Sequence, residues 1–179
     1  MRNATLPPLL LAVALGVSAC QAEGPHAPVT ESIVAGMHDG AHARPLRGTC
    51  TITGVELVSM VPPMLNQTST AVCQVSLLGP IAILTQQQIN VATGDQTAEA
   101  VWTTANGDQL FATSHGTAVP TGPTTIRFSG VTTIAGGTGR FANATGSVQV
   151  EGTADNAANT GSFTYDGYLR FDASNAAHR

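Results

Sequence analysis

The chain of 179 residues contains no lysine, so its seven cationic side chains are all arginines. Charged residues make up only 10% of the sequence, against roughly 25% in typical soluble domains. Beyond residue 19, six arginines face eleven acidic residues, and the net charge is −5. The arginines form no basic patch in the sequence, which argues against nucleic acid as a partner.

Aromatic residues are also scarce. One Trp, two Tyr and five Phe amount to 4% of the sequence, fewer than a face that stacks against sugars or nucleobases would need. The apolar stretch "LPPLLLAVALGV" at 6–17 is too short to span a bilayer. It follows Arg2 near the N-terminus, and this order is typical of a signal peptide.

The residues that end this stretch, Val17-Ser18-Ala19-Cys20, resemble a bacterial lipobox, with Val17 where Leu is commonest. The resemblance implies a signal peptide at 1–19, cleavage before Cys20, and a lipid on the Cys20 sulfur and new amino group. We therefore expect an exported lipoprotein that is anchored in a membrane of the bacterial cell envelope. The alternative is an ordinary secretory signal and a soluble secreted or periplasmic protein.

Three cysteines are an odd number for an exported protein. Lipidation of Cys20 would leave Cys50 and Cys73 as a pair, and such a pair usually forms a disulfide in an oxidising compartment. The alternative, a metal site with two cysteine ligands, lacks a nearby histidine or a further cysteine. We expect the disulfide, no metal and no cofactor.

The amino-acid composition of the sequence changes at Leu46. Residues 20–45 are rich in Pro, Gly, Ala and His without a sustained period, which is typical of a flexible tether. From Leu46 onward Thr, Val and Ile are dense, and turn residues recur at short intervals. Eight strands are predicted at 46–58, 70–78, 81–93, 97–105, 109–119, 124–135, 146–154 and 161–172.

Alternation of apolar and polar residues in these strands indicates sheets with one buried face. Closure into a barrel would remove the two exposed edges of an eight-stranded meander. The sequence therefore predicts one all-β domain at 46–172, an eight-stranded antiparallel barrel, followed by a short tail at 173–179. Residues 81–105 are the exception, because this segment could also contain a helix.

One glycine cluster matches a nucleotide-binding motif. Residues 137–142, "GTGRFA", satisfy the dinucleotide fingerprint G-x-G-x-x-G/A, and Asp155 follows at the expected distance. The fingerprint requires a helix after the glycines, whereas Asn143, Thr145 and Gly146 disfavour one. We interpret the cluster as structural. Its glycines would permit a tight corner, and Phe141 would close the end of the barrel as an apolar plug. The glycines of this cluster are Gly136, Gly137, Gly139 and Gly146.

The same segment carries a family resemblance. "IAGGTGRFANATGSVQVEGTA" at 134–154 and "TGSFTYDGYLRF" at 160–171 resemble a group of small secreted bacterial proteins with an allene oxide cyclase-like barrel, which is calycin-like and related to plant dirigent proteins. "GTC" at 48–50, "CQVSLLGP" at 73–80 and "ANGDQLFATSHG" at 105–116 are similar to that group as well. Asn143 stands where these relatives usually carry Gly, which implies a left-handed backbone there. The pocket residues of the plant enzymes do not map onto this sequence.

Few residues are candidates for a site, and none forms a catalytic constellation. Gln87 is in phase with apolar positions of its strand, so it is expected to face the barrel interior. Trp102 is either a core residue or the floor of a pocket. His115 is interpreted as structural, yet together with Gln87, Trp102 and Tyr165 it completes a set of candidate pocket residues.

Two functions remain open from the sequence. The first is a cell-envelope lipoprotein whose barrel binds a small apolar ligand or serves as an interaction module. The second is an isomerase-like or cyclase-like enzyme that acts on an apolar substrate inside the barrel. The second requires a cavity with convergent polar groups, whereas the first tolerates a filled core. A purely structural surface protein is a third alternative, and the oligomeric state is undetermined.

Overall fold

The structure, a computed structural model, describes residues 42–171, and these residues form a closed barrel of eight antiparallel strands. Each strand pairs with the next along the chain, and the last pairs with the first. The all-β prediction and the eight-stranded barrel are therefore confirmed. The strands are β1 (Arg44–Val61), β2 (Met64–Val75), β3 (Gly79–Asn90), β4 (Asp95–Thr104), β5 (Gln109–Pro120), β6 (Thr125–Gly137), β7 (Thr145–Asp155) and β8 (Thr160–Arg170).

The up-and-down order places the connections at two ends of the barrel. Both chain ends of the described region, the β2–β3 and β4–β5 turns and the β6–β7 link lie at one end, which we call the capped end. The remaining four connections lie at the other, which we call the open end. Alternate residues of every strand point inward, so the sequence of each strand decides how its part of the interior is filled.

Large apolar side chains fill the capped half of the barrel. The three-residue 3₁₀ turn Gly139–Phe141 places the Phe141 ring in the core, where it packs edge-to-face against Phe171 with ring centroids 5.1 Å apart. The prediction that Phe141 closes one end is consistent with this position. The largest fully buried side chains of the barrel core are Leu46, Trp102, Leu110, Thr132, Ile134, Phe141, Val148 and Leu169.

The strand ends on either side of Pro62-Pro63 were predicted wrongly. Residues 62–69, expected to form a proline-rich loop, contain only a two-residue turn at Pro62-Pro63, after which β2 begins at Met64. The prolines occupy the turn itself, so they interrupt neither strand. Residues 81–105 contain no helix, because β3 and β4 pair along nine positions from Ile81↔Thr104 to Ile89↔Gln96.

Cys50 and Cys73 form the predicted disulfide. The two residues lie directly opposite each other on β1 and β2, and their Cα atoms are 4.0 Å apart. Both are buried in the core. A bridge that closes a loop of this length contributes on the order of 3 kcal/mol in the chain-entropy account, and here it fixes the register of the first hairpin.

The glycine corner is built as expected, with one correction. Gly139 has φ of 55°, and a Cβ there would overlap the Asp108 carboxylate. Gly137 needs no positive φ, but a Cβ there would overlap the Gln109 carbonyl oxygen. Asn143 does not adopt the left-handed backbone that the resemblance implied, since Leu77 and Asn159 are the two non-glycine residues with positive φ within the described chain.

Alanine substitutions distinguish the two reasons for glycine at this corner, a positive φ and a lack of space for a Cβ. Gly137→Ala should destabilise the barrel most, because the Gln109 carbonyl belongs to a strand and cannot move aside. Gly139→Ala should cost about 1–2 kcal/mol for the left-handed backbone, with a further cost for displacing Asp108. Gly107→Ala is the control for backbone strain alone, because Gly107 has φ of 89° and no atom near the added Cβ. Urea unfolding measures all three, and equal losses for Gly137→Ala and Gly107→Ala would contradict the packing role.

Candidate functional site

Three glutamines form a polar wall in the open half of the barrel, which we call the amide wall. Gln67 on β2 and Gln87 on β3 are register partners, and Gln96 follows on β4. The Gln96 side-chain amide donates a 2.9 Å hydrogen bond to Oε1 of the Gln87 side chain. All three line one interior cavity. Small neighbours on the same strands, Ala71, Ala98 and Ala100, leave the space in front of them unfilled.

Aromatic rings from β6 and β8 form a second wall of this cavity, the aromatic wall. Phe128 lies 5.9 Å from Phe163, and Phe163 lies 5.2 Å from Tyr165, measured between ring centroids. Tyr165 in turn packs against Trp102 at 4.8 Å. Trp102 is fully buried, and its indole Nε1 has no hydrogen-bond partner among the described residues. The row of rings thus connects the packed capped half with the cavity.

The cavity between the walls is small, open-ended and free of charge. Its volume is about 80 Å³, enough for one end of a small ligand that enters from the open end of the barrel. None of its nineteen lining residues is acidic or basic. Hydroxyls contribute further polar atoms, and the side chains of Ser114 and Thr132 hydrogen-bond to each other at 2.7 Å. Such a space accepts an uncharged polar group and disfavours an ionised one.

Burial strongly affects the one titratable group that lines this cavity. Tyr165 is almost completely buried, and removal of its phenol from water raises the pKa well above its ordinary value. The phenol therefore stays neutral even at alkaline pH values at which an exposed tyrosine ionises, and it places a hydroxyl on an otherwise apolar wall.

The four candidate pocket residues fall into two groups. Gln87 and Tyr165 line the cavity, and Trp102 lies in the core against Tyr165. His115 was placed wrongly, because its strand directs it outward in phase with the exposed Phe111. It lines a groove of about 510 Å³ across the outer face of β2–β5, together with Gln86, Gln88 and Glu99. This groove is larger than the cavity but lies outside the barrel.

Gln67 and Gln96 were missed from the sequence. Gln67 lay in the segment predicted as a loop, and Gln96 lay just before the predicted start of its strand. Extension of the period-two pattern would have found both, because Gln67 is in phase with Ala71, and Gln96 with Ala98. The period-two pattern therefore includes both glutamines, and they were missed because the predicted strands were too short.

No nucleotide or metal site is built by the residues that suggested one. The chain continues from Gly137 through the short 3₁₀ turn into antiparallel β7, so the helix that a dinucleotide fingerprint requires is replaced by a strand. Arg140 in this turn lies 4.7 Å over the Phe141 ring and 3.9 Å from the Asp108 carboxylate. Within residues 42–171, no three His, Cys, Asp or Glu side chains are grouped as metal ligands.

Several expectations lie outside the described residues. The signal peptide at 1–19, the lipidated Cys20, most of the tether at 20–45 and the tail at 173–179 belong to this group. Between residues 42 and 171 there is no helix with the length and apolar character of a membrane span.

The buried phenol predicts a distinct loss of stability at alkaline pH. Because the folded-state pKa of Tyr165 is raised above the unfolded value of about 10, its contribution is complete below pH 10 and falls as pH rises. At pH 11 the loss is on the order of 1 kcal/mol. Tyr165→Phe should remove this component from the pH dependence of urea unfolding, whereas Tyr168→Phe, at an exposed position, should not. Parallel pH profiles for Tyr165→Phe and the parent protein would show that the folded barrel admits the ionised phenolate.

Comparison of the chain with protein-family models, with curated proteins and with solved structures finds no match to any of them. The residues that line the cavity are therefore the basis for assigning it a function.

Proposed function

We propose that the barrel is a binding module that takes an uncharged group of a small ligand into its open half. The observation that carries this proposal is the charge-free cavity between the amide wall and the aromatic wall. Amide groups of Gln67, Gln87 and Gln96 offer both donors and acceptors, and rings on the opposite side offer apolar contact. A planar amide or a hydroxylated ring suits both walls at once.

Cavity size favours this function over the cyclase-like alternative. Pockets that enclose a ligand of ordinary size measure roughly 300–1,000 Å³, several times the 80 Å³ found here. A fatty-acid-sized substrate would have to displace the aromatic wall. A ligand larger than the cavity would insert one end and leave the remainder at the open end of the barrel.

The same proposal assigns the chain to the allene oxide cyclase-like, calycin-like barrels in architecture. Support comes from the closed eight-stranded meander and from the glycine corner at Gly136–Phe141, the part of the sequence that carries the resemblance. The activity of the plant enzymes does not follow from this architecture, because function depends on the site.

We propose further that the protein is an exported lipoprotein anchored through Cys20. The buried Cys50–Cys73 disulfide supports an oxidising compartment, and the Val17-Ser18-Ala19-Cys20 segment supports lipid attachment.

Replacement of Cys20 tests the anchor. Cys20→Ser should move the protein from the membrane fraction to the soluble fraction, because the thiol that carries the lipid is absent. Val17→Leu is the matched control, since it brings the lipobox closer to its commonest form and should leave the protein in the membrane. Fractionation with mass spectrometry of the mature N-terminus measures both. Membrane attachment of Cys20→Ser would contradict the lipoprotein assignment.

Benzamide and benzoate test the site, because they share a shape and differ in charge. Benzamide should bind with a dissociation constant on the order of 1 mM, about −4 kcal/mol, a reasonable affinity for so small a ligand. Benzoate should not bind, because the cavity offers its carboxylate no cation. Trp102, the sole tryptophan, reports binding by fluorescence through its contact with Tyr165.

Two leucine substitutions serve as the matched pair for this titration. Ala98→Leu fills the cavity and should weaken benzamide binding at least about tenfold. Ala82→Leu adds the same volume on the outer face of β3, where residue 82 is exposed, and should leave binding unchanged. Equal binding of benzamide and benzoate, or an equal effect of both substitutions, would place the ligand outside the cavity.

A further inference from the structure

The side-chain amide of Gln67 is buried beside the cavity without a hydrogen-bond partner from the chain. Gln67 is 8% exposed and lines the cavity. Within residues 42–171, Gln96 donates to Oε1 of Gln87, whereas the Gln67 amide pairs with no side chain and no backbone group. Buried polar groups in folded proteins are nearly always paired. The Gln67 amide therefore points to a partner that the barrel itself does not supply.

A second polar group faces the same cavity in the same condition. Tyr165 is 7% exposed and lines the cavity, and its hydroxyl likewise has no hydrogen-bond partner among the residues that the structure describes. Its ring is held between Trp102 and Phe163, at 4.8 Å and 5.2 Å between centroids. The hydroxyl is therefore fixed in place. Two unpaired polar groups, from β2 and from β8, thus line one charge-free space.

The geometry of a carboxamide limits what can pair with Gln67. Its N–H donor and its carbonyl acceptor lie side by side in one plane, whichever way the amide is turned about its last bond. A hydroxyl carries donor and acceptor on a single oxygen, so it cannot form straight hydrogen bonds to both. A trans peptide bond directs its N–H and C=O to opposite sides. A primary carboxamide or a lactam has both groups on one edge and can form two parallel hydrogen bonds.

We infer that the cavity is specific for this cis-amide edge, carried by a primary carboxamide or a small lactam, and that Gln67 is the residue that binds it. The inference rests on the proposed ligand site and narrows its ligand from any uncharged polar group to this class. Pairing of one carboxamide with another already occurs in the amide wall, between Gln96 and Gln87. The Tyr165 hydroxyl is available to the same ligand as a further donor.

Groups that share the shape of the amide edge are excluded by their charge and by their hydrogen-bonding pattern. A carboxylate has acceptors only and would direct an oxygen at the carbonyl oxygen of Gln67. An amidinium has donors only and would direct an N–H at its amino group. Either ion would also enter a space that no acidic or basic side chain lines. Charge and pairing pattern therefore select the same class of ligand.

Three ligands of one shape test the class on the unaltered protein. Benzamide has the full amide edge, acetophenone replaces the amino group by a methyl group, and benzamidine is a cation with donors only. Acetophenone should bind at least about tenfold more weakly than benzamide, because the acceptor of Gln67 would stay unpaired. Benzamidine should not bind. The lactam δ-valerolactam should likewise bind at least about tenfold more tightly than δ-valerolactone. Chemical-shift titration by NMR measures all five.

The outcomes of this series separate the inference from the proposed function. Equal binding of benzamide and acetophenone, with both weakened by Ala98→Leu, would overturn the inference and leave the ligand site in place. Absence of binding by every uncharged member of the series would overturn the site and the inference together.

Substitution of Gln67 tests the assigned residue. Gln67→Met keeps a similar length without donor or acceptor, and it should bring benzamide down to the affinity of acetophenone. Gln67→Glu should lose benzamide and gain benzamidine, because a carboxylate accepts both N–H groups of an amidinium. Gln74→Met is the control, since residue 74 is exposed on the outer face of the same strand, and it should leave binding unchanged.

Thermal melting distinguishes a ligand-binding residue from a structural one. Gln67→Met should melt at or above the temperature of the parent protein, because it removes a buried amide that the chain leaves unpaired. A structural glutamine would give a lower melting temperature. The inference is overturned if Gln67→Met still prefers benzamide to acetophenone, since another group would then bind the amide edge. Should Gln67→Glu not fold, Gln67→Met and the ligand series decide.

Discussion

Pairing of β8 with β1 is the constraint on which the rest of the structure depends. It closes the sheet, and closure gives every strand one face toward the interior and one toward solvent. The alternation of the sequence then determines, at each strand position, whether the side chain faces the interior or solvent. A barrel of eight strands has an interior just wide enough for side chains to fill it, so the content of the interior is decided by which inward residues are large and which are small.

The sizes of the inward residues divide the barrel into two halves. Toward the capped end, the inward residues are large and apolar, and the ring of Phe141 covers them. Toward the open end, the inward residues of β2–β4 that line the cavity are glutamines and small residues, and the cavity remains between them and the aromatic wall. Trp102 and Tyr165 lie at the boundary in mutual contact. The cavity is thereby confined to the half of the barrel where the inward residues are small.

Much of this architecture could be predicted from the sequence, because alternation and turn residues are local signals. All eight strands and the inward position of Gln87 followed from them, whereas the Cys50–Cys73 bridge followed from the cysteine count. Boundaries next to Pro62-Pro63 were wrong because prolines mark a loop as readily as a tight turn. The orientation of His115 was missed because Phe111, in phase with it, looks buried by composition, whereas the alternate residues Leu110 and Ala112 are the buried ones. Cavity volume could not be predicted, since it depends on rings from β6 and β8 that meet glutamines from β2–β4 only after closure.

A crystal structure of the protein grown with benzamide would show whether the cavity is a ligand site. The benzamide ring is expected against Phe163 and Tyr165, with its amide hydrogen-bonded to the glutamines of the amide wall. An interior closed by rearranged side chains would contradict it. So would benzamide bound only in the outer groove beside His115, because the ligand would then have bypassed the charge-free half of the barrel.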